Sequence, residues 1–454
     1  MTESAHNKYQ QFCFEGFSYN YDAENKVFCI ELNYNLDKKI NFQEKLQIPL
    51  GVEAWEKVDL EALQRAISAL HIMAGISYYK TYLPREMAGL ELTEEQANFW
   101  QKIYQRGLGE FFYSNQIDFR GLINFPHSPT AQIPQFSSKK LSERALLPIG
   151  GGKDSIVSAE ILKKMGLEFE QFSLRDAEPI RATAEAIGKP RQIVQRQLDA
   201  QLFQLNEQGA YNGHVPITAH ISFLLIVCAI LDDYRYIVMS LEKSANEGQL
   251  LFHGMDINHQ YSKSEEFEED LRNYVSKYID SEVEYFSLLR GYNELRIAEI
   301  FAGLENFNRY APVFSSCNAN FKINKTEIPK RWCGHCPKCA FVFLILAAFV
   351  PKKELLGIFG ENLLDKPELM ELNEELLGLR NFKPFECVGT TEESQVALWL
   401  VSQKSEWQND WMVKHFINDL IPRLATTDWK LAKEKVLKKQ VAPMISEKFQ
   451  QYLP

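Results

Sequence analysis

Pro148-Ile149-Gly150-Gly151-Gly152-Lys153-Asp154-Ser155 follows the apolar residues Ala145, Leu146 and Leu147 and runs into Ile156, Val157, Ala159, Ile161 and Leu162. A strand that feeds three glycines and then a helix leaves backbone N–H groups unpaired at the positive end of the helix dipole. Only residues without a Cβ let that backbone close around a bulky anion. The stretch therefore reads as a phosphate-binding loop, with Lys153 adding positive charge and Asp154 and Ser155 placed to cap the helix or hold a nucleotide-borne magnesium ion. Pro148 cannot donate to a central ladder, so the strand should end there. The spacing excludes the P-loop, whose glycines stand further apart before Gly-Lys-Ser/Thr, and the dinucleotide fingerprint, which needs a glycine deeper in the helix. The ligand-free alternative is a plain glycine-rich turn.

Outward from the loop, residues 141–340 alternate between strand-like and helix-like patterns. Strands are expected at 145–149, 169–174, 192–196, 236–241 and 284–289, with helices near 155–165, 177–187, 218–231, 264–279 and 293–302. Such alternation implies an α/β domain, a parallel sheet with helices on both faces. Ligands in these sheets sit at the carboxyl ends of the strands. Arg175 and Asp176, then Glu242, Lys243 and Ser244, then Arg290 are accordingly expected to line the site, the first two as nucleotide contacts.

Residues 1–140 form a separate α+β part, a candidate for substrate recognition. Val27, Cys29, Glu31 and Asn33 alternate with Phe28, Ile30, Leu32 and Tyr34, as in an antiparallel sheet; Leu60, Leu63, Ala66, Ile67, Leu70 and Met73 keep helical spacing; and Thr93 with Gln96 forms a capping box. Residues 341–454 read as mostly helical, with a loop from Lys383 to Thr390 that ends in a second capping box, Thr390 to Glu393. A basic helix at 430–439 is expected to turn Leu431 and Val436 inward.

With 454 residues, 45% of them hydrophobic, the chain can bury two or three cores. A formal charge of −10 argues against a nucleic-acid partner. The apolar runs 221–231 and 340–350 are too short to span a bilayer, and no signal-peptide pattern opens the N-terminus, which points to a cytoplasmic protein with no membrane partner. The oligomeric state is not legible.

Four of the eight cysteines, Cys317, Cys333, Cys336 and Cys339, fall in Cys-x15-Cys-Gly-His-Cys-Pro-Lys-Cys. Thiolates two residues apart converge on one ion, and four complete a closed tetrahedral shell, so a structural zinc is the leading reading. Unligated thiols, a redox pair and an iron–sulfur cluster are the alternatives, and His335 competes with Cys317 as fourth ligand.

Gly150 to Ser155 resembles the PP-loop signature of N-type ATP pyrophosphatases, usually Ser-Gly-Gly-x-Asp-Ser, with Gly150 in the place of serine. That resemblance implies an adenine nucleotide alpha hydrolase-like domain that cuts ATP between its α and β phosphates and adenylates a substrate. The loop followed by a cysteine knuckle is similar to 7-cyano-7-deazaguanine synthase, a much shorter family. A resemblance over nearly the whole chain is carried by Leu70-His71-Ile72-Met73-Ala74-Gly75-Ile76-Ser77-Tyr78-Tyr79-Lys80, Gly107-Leu108-Gly109-Glu110-Phe111, the Gly150 to Ser155 string, and Cys333-Gly334-His335-Cys336-Pro337-Lys338-Cys339. These strings look like the UDP-N-acetyl-α-D-muramoyl-L-alanyl-L-glutamate epimerase family, in which Gly150 is the usual residue. The resemblance implies ATP-dependent inversion of the terminal L-glutamate of UDP-MurNAc-L-Ala-L-Glu, giving D-glutamate, AMP and pyrophosphate for peptidoglycan synthesis. Under it, Gly150, Gly151, Gly152 and Ser155 cradle pyrophosphate, Lys153 offsets its charge and Asp154 helps hold magnesium.

A Cα–H beside a free carboxylate is hard to remove, because the enolate would gather a second negative charge there. Adenylation neutralises the carboxylate, after which a base takes the proton and its return from the opposite face inverts the centre. Cys387, in a loop containing proline and glycine, and His259, in Asn258-His259-Gln260-Tyr261-Ser262-Lys263, are the catalytic candidates, with Lys243 a further one. A free cysteine is more often simply a small buried residue. An ATP-dependent amidase or tRNA-modifying thiolase, and a non-enzymatic zinc-bearing binding module, are the competing functional classes.

Overall fold

The computed structural model describes residues 8–321, 331–424 and 426–454. Strands Gln11–Asp22, Val27–Leu36 and Ile40–Pro49 form an antiparallel meander. The first turn is fixed by the Asp22 carboxylate, which accepts from the Glu24 and Asn25 amides at 3.0 and 2.9 Å. Alternation puts Phe28, Ile30, Leu32 and Tyr34 into the core, where they meet helix Leu60–Tyr79, capped by Asp59. The expected capping box of Thr93 and Gln96 opens helix Glu94–Gly107.

The second sheet is parallel throughout, in the order Glu284–Ser287, Tyr236–Met239, Ala145–Pro148, Phe169–Ser173, Arg191–Ile193. Its first strand in sequence lies at the centre and ends at Pro148. The chain fills one side of it and then returns to fill the other. That reversal of strand order makes the carboxyl end of Ala145–Pro148 the topological switch point, the place where two crossover connections diverge and leave a crevice. Gly150 to Gly152 stand there.

The single strand read at 192–196 is two strands in two sheets: Arg191–Ile193 completes the parallel sheet and Gln195–Gln197 pairs with Ile40–Pro49 of the N-terminal sheet. Val194 is fully buried between them, its N–H still bonded to the Ser173 carbonyl at 2.9 Å. A pattern of alternating residues cannot say which sheet it joins. Arg196 then pairs with buried Glu44, whose carboxylate also accepts from Tyr78 at 3.1 Å. Chain from beyond residue 140 thus completes the N-terminal sheet, and helix Ile217–Leu231, buried on nearly every face, packs against Leu60–Tyr79 in the same core.

The C-terminal part is helical, as expected, built on Pro337–Ala347 and Thr391–Ser402, with the capping box of Thr390 and Glu393 formed. Helix Glu294–Ala302 packs against both of these and against Lys153–Met165, which places the C-terminal part beside the glycine loop. In helix Trp429–Leu437, Val436 is buried but Leu431 is 63% exposed, against expectation. The two are about 140° apart around a helix and cannot share a face; Trp429, Ala432 and Val436 form the inward stripe instead. Among the described residues no helix is long and apolar enough to cross a membrane.

Candidate active site

Gly151 has φ +87°, and a Cβ there would stand 3.1 to 3.2 Å from backbone atoms of Ser315 and Pro179. Its carbonyl is locked by the Ser315 amide at 2.8 Å and the Thr183 hydroxyl at 3.1 Å. The loop is therefore rigid and needs glycine at this position. Gly152 is the N-cap of helix Lys153–Met165, and no side chain caps it. Neither Asp154 nor Ser155 takes the capping role open to them; the Ser155 hydroxyl turns back to the Gly152 carbonyl at 3.1 Å.

Lys153 is buried, with its ammonium bonded to Asp154 at 2.5 Å and to Glu294. Glu294 in turn has Lys338 of the cysteine knuckle at 3.9 Å. The positive charge of the loop is thus pinned between carboxylates, while Asp154 keeps a quarter of its side chain exposed. Burial, together with Glu294 and Asp154 nearby, pushes the Glu242 carboxyl up to about 7.

The other expected lining residues divide. Lys243 turns away to Gln440, and Arg290 is spent on Glu268 and on the carbonyls of Glu242 and Lys263. Ser244 accepts from the Glu294 amide at 3.2 Å. Asp176 pairs at the surface with Arg181 and Arg191, and Arg175 is exposed next to it.

Cys387 and His259, 128 residues apart and read separately in the sequence, are brought together by a hydrogen bond. Lys263 donates to the Cys387 sulfur at 3.1 Å. Burial opposes a thiolate here, but Lys263 and His259 outweigh it, and the thiol stands well below its ordinary value. For His259, burial is outweighed by the hydrogen bonds to Cys387 and Glu110, and its pKa rises to about 9. Both shifts favour the thiolate–imidazolium form of the pair. Loop 383–389 is held in place by Lys383 on Glu247 at 3.2 Å and by Gln260 on the Val388 carbonyl at 3.3 Å. Lys338, Lys263 and Glu242 link the two centres electrostatically, since Lys338 acts on Asp154, Glu294, Glu242 and Cys387 alike.

Glu110, His214, Lys263, Glu294 and Lys338 carried no assigned role in the sequence. Glu110, Lys263 and Lys338 lie inside strings that could be singled out there, but His214 and Glu294 sit in stretches with no motif, and nothing local marks them.

Cys317, Cys333, Cys336 and Cys339 bring their sulfurs within 4.8 Å of one another. Cys333 and Cys336 lie 3.7 and 3.5 Å from Cys339, close to the roughly 3.8 Å edge of a tetrahedron with ~2.3 Å metal–sulfur bonds. His335 is exposed and its ring nitrogen meets the Cys333 carbonyl, so Cys317 is the fourth member of the set. A separate cavity of ≈ 500 Å³, lined by Lys26, Asp59, Lys139, Arg144, Asp232 and Asp280, lies at the amino ends of the parallel strands, away from this chemistry.

The structure is a two-part α/β chain in which a glycine loop follows the central strand of the parallel sheet and a Cys387–His259 pair is joined to it through Lys338 and Glu242. Residues 3–288 match the MurL N-terminal domain and residues 313–431 the MurL C-terminal domain. The chain belongs to the UDP-N-acetyl-α-D-muramoyl-L-alanyl-L-glutamate epimerase family. It is 39% identical over 427 residues to the protein of that name from Xanthomonas oryzae pv. oryzae, covering 94% of this chain and 93% of the relative. The Micromonospora sp. epimerase is 39% identical, with 86% of each chain covered, and that of Salinispora tropica 37%, with 93% and 90% covered.

Proposed function

We propose that the protein inverts the terminal L-glutamate of UDP-MurNAc-L-Ala-L-Glu: ATP adenylates its carboxylate with release of pyrophosphate, the α-proton is removed and a proton is returned to the opposite face of Cα, and water hydrolyses the acyl-adenylate to the D-glutamate product and AMP. The observation that carries this reading is a run of charged groups: the glycine loop at the topological switch point is linked through Lys153, Glu294, Lys338 and Glu242 to Cys387. Gly150, Gly151, Gly152 and Ser155 cradle the pyrophosphate, and Lys153 offsets its charge. Asp154 holds magnesium, which when bound neutralises phosphate charge. Cys387 takes the α-proton of the activated glutamate, with His259 as its hydrogen-bonded partner. The four cysteines hold a structural zinc that fixes the knuckle and so aims Lys338 at the site.

The test is to incubate the protein with ATP, magnesium and UDP-MurNAc-L-Ala-L-Glu, then assay AMP and, after hydrolysis, D-glutamate. Both are expected in equal amounts. AMP without D-glutamate would retain the nucleotide chemistry and reject the epimerase. Metal analysis should return about one zinc per chain.

A further inference from the structure

The proton-transfer centre is not completed by the half of the chain that holds the glycine loop. Glu110 comes from the short helix Gly109–Ser114 of the N-terminal part. One of its carboxylate oxygens meets His259 Nδ1, and His214 Nδ1 lies 3.2 Å from that same oxygen. The three atoms lie within 4.8 Å of one another, and the two imidazole rings are 4.7 Å apart. With Nδ1 committed to the carboxylate, the ring presents Nε2 as the nitrogen for its hydrogen bond to Cys387. The His259 backbone is held as well, its amide bonded to Gln249 at 2.9 Å.

We propose that Glu110 is the positioning residue of this centre: its carboxylate, shared with His214, turns the His259 ring toward Cys387 and keeps that ring protonated, so that the thiol is held as thiolate. The order of groups is thiol, imidazole, carboxylate, in which the last member never touches the substrate but fixes the tautomer and charge of the middle one. Lys263 and Lys338 supply the remaining positive charge facing Cys387, and Glu386 the opposing negative charge; Lys80 acts on His214. The His214 pKa is lowered to about 4, chiefly by burial and then by the charge of His259, so His214 serves the carboxylate as a neutral donor. The arrangement also explains how a site whose loop, imidazole and thiol all lie beyond residue 149 depends on the N-terminal part.

This inference rests on the proposed function only in its kinetic arm. The direct test is the pH dependence of Cys387 alkylation by iodoacetamide in the full-length protein, followed by peptide mass spectrometry. In the wild type, alkylation should stay fast below pH 7. In Glu110→Gln the profile should move upward, giving at least about tenfold slower alkylation at pH 6.5, and Glu110→Asp should recover part of the shift. A Glu110→Gln profile that superimposes on the wild type overturns the proposal. If Glu110→Gln does not fold, the Glu110→Asp profile decides by the same criterion. In turnover, Glu110→Gln should lower kcat for epimerisation at least about tenfold with KM for the muramoyl dipeptide within about twofold; a change in KM alone overturns it. A shifted alkylation profile in a protein that does not epimerise would leave Glu110 in its role and remove the proposed function.

Discussion

The glycine loop and the Cys387 centre are neighbours that were assembled in opposite ways. The loop is six consecutive residues, held from afar by Ser315 and Thr183 on the Gly151 carbonyl, by Ser315 and Pro179, which leave no room for a Cβ on Gly151, and by Glu294 on Lys153. The thiolate centre has no local signature. It joins Glu110, His214, His259, Lys263 and Cys387, drawn from both ends of the chain, and its chemistry is a matter of charge rather than shape. A loop built from backbone can be recognised as a string, whereas a cluster of opposed charges is recognised only as an arrangement.

The two halves should separate under mutation. Asp154→Asn is expected to remove a magnesium ligand and lower AMP formation by about 10³, several kcal/mol at ~1.4 kcal/mol per tenfold, with epimerisation falling in step. Near-normal AMP release would end its assigned role. Cys387→Ser should act on the other half alone, slowing exchange of the substrate α-proton with deuterated water at least about 10²-fold while AMP is still formed. Unchanged exchange would take Cys387 out of the mechanism and dissolve the comparison.

Lys153→Met sharpens it from the structural side. Lys153 is the counterion of buried Glu294, so its loss leaves uncompensated buried charge and should cost about 3–5 kcal/mol in thermal or denaturant unfolding. A loss under about 1 kcal/mol would show that the lysine serves the ligand alone. The pH profile offers a gentler probe. Because the His259 pKa is raised to about 9, its imidazolium is present below that value and lost above it. Epimerisation should therefore fall by about tenfold per unit above pH 9, while ATP binding measured without the muramoyl substrate keeps no such limb. A profile that stays flat to pH 10 would contradict the imidazolium. The smallest effect is expected at Leu431→Ala, within about 0.5 kcal/mol of wild-type stability, since that side chain points to solvent.

The strand-to-helix turn at Pro148 and both capping boxes were legible because each depends on residues within a few positions of one another, and the parallel sheet was legible through the alternation of strand and helix patterns. The strand at 192–196 was legible as a strand but not as a crossing between sheets, since pairing partners lie about 150 residues away in one case and about 20 in the other. Cys387 and His259 could be named as candidates by residue type. That they touch, and that Lys263 and Glu110 flank them, required the fold.

The chain order alone set two local features: a run of glycines of the kind that lets backbone approach an anion, and four cysteines at spacings that suit one ion. Those properties are local, set by backbone conformation and short chain closure. The tertiary structure decided the charges. Whether Cys387 is a thiolate, and whether Lys153 is free or pinned, depends on what burial removes from water and which opposite charges stand within a few ångströms, and the chain order does not encode those distances.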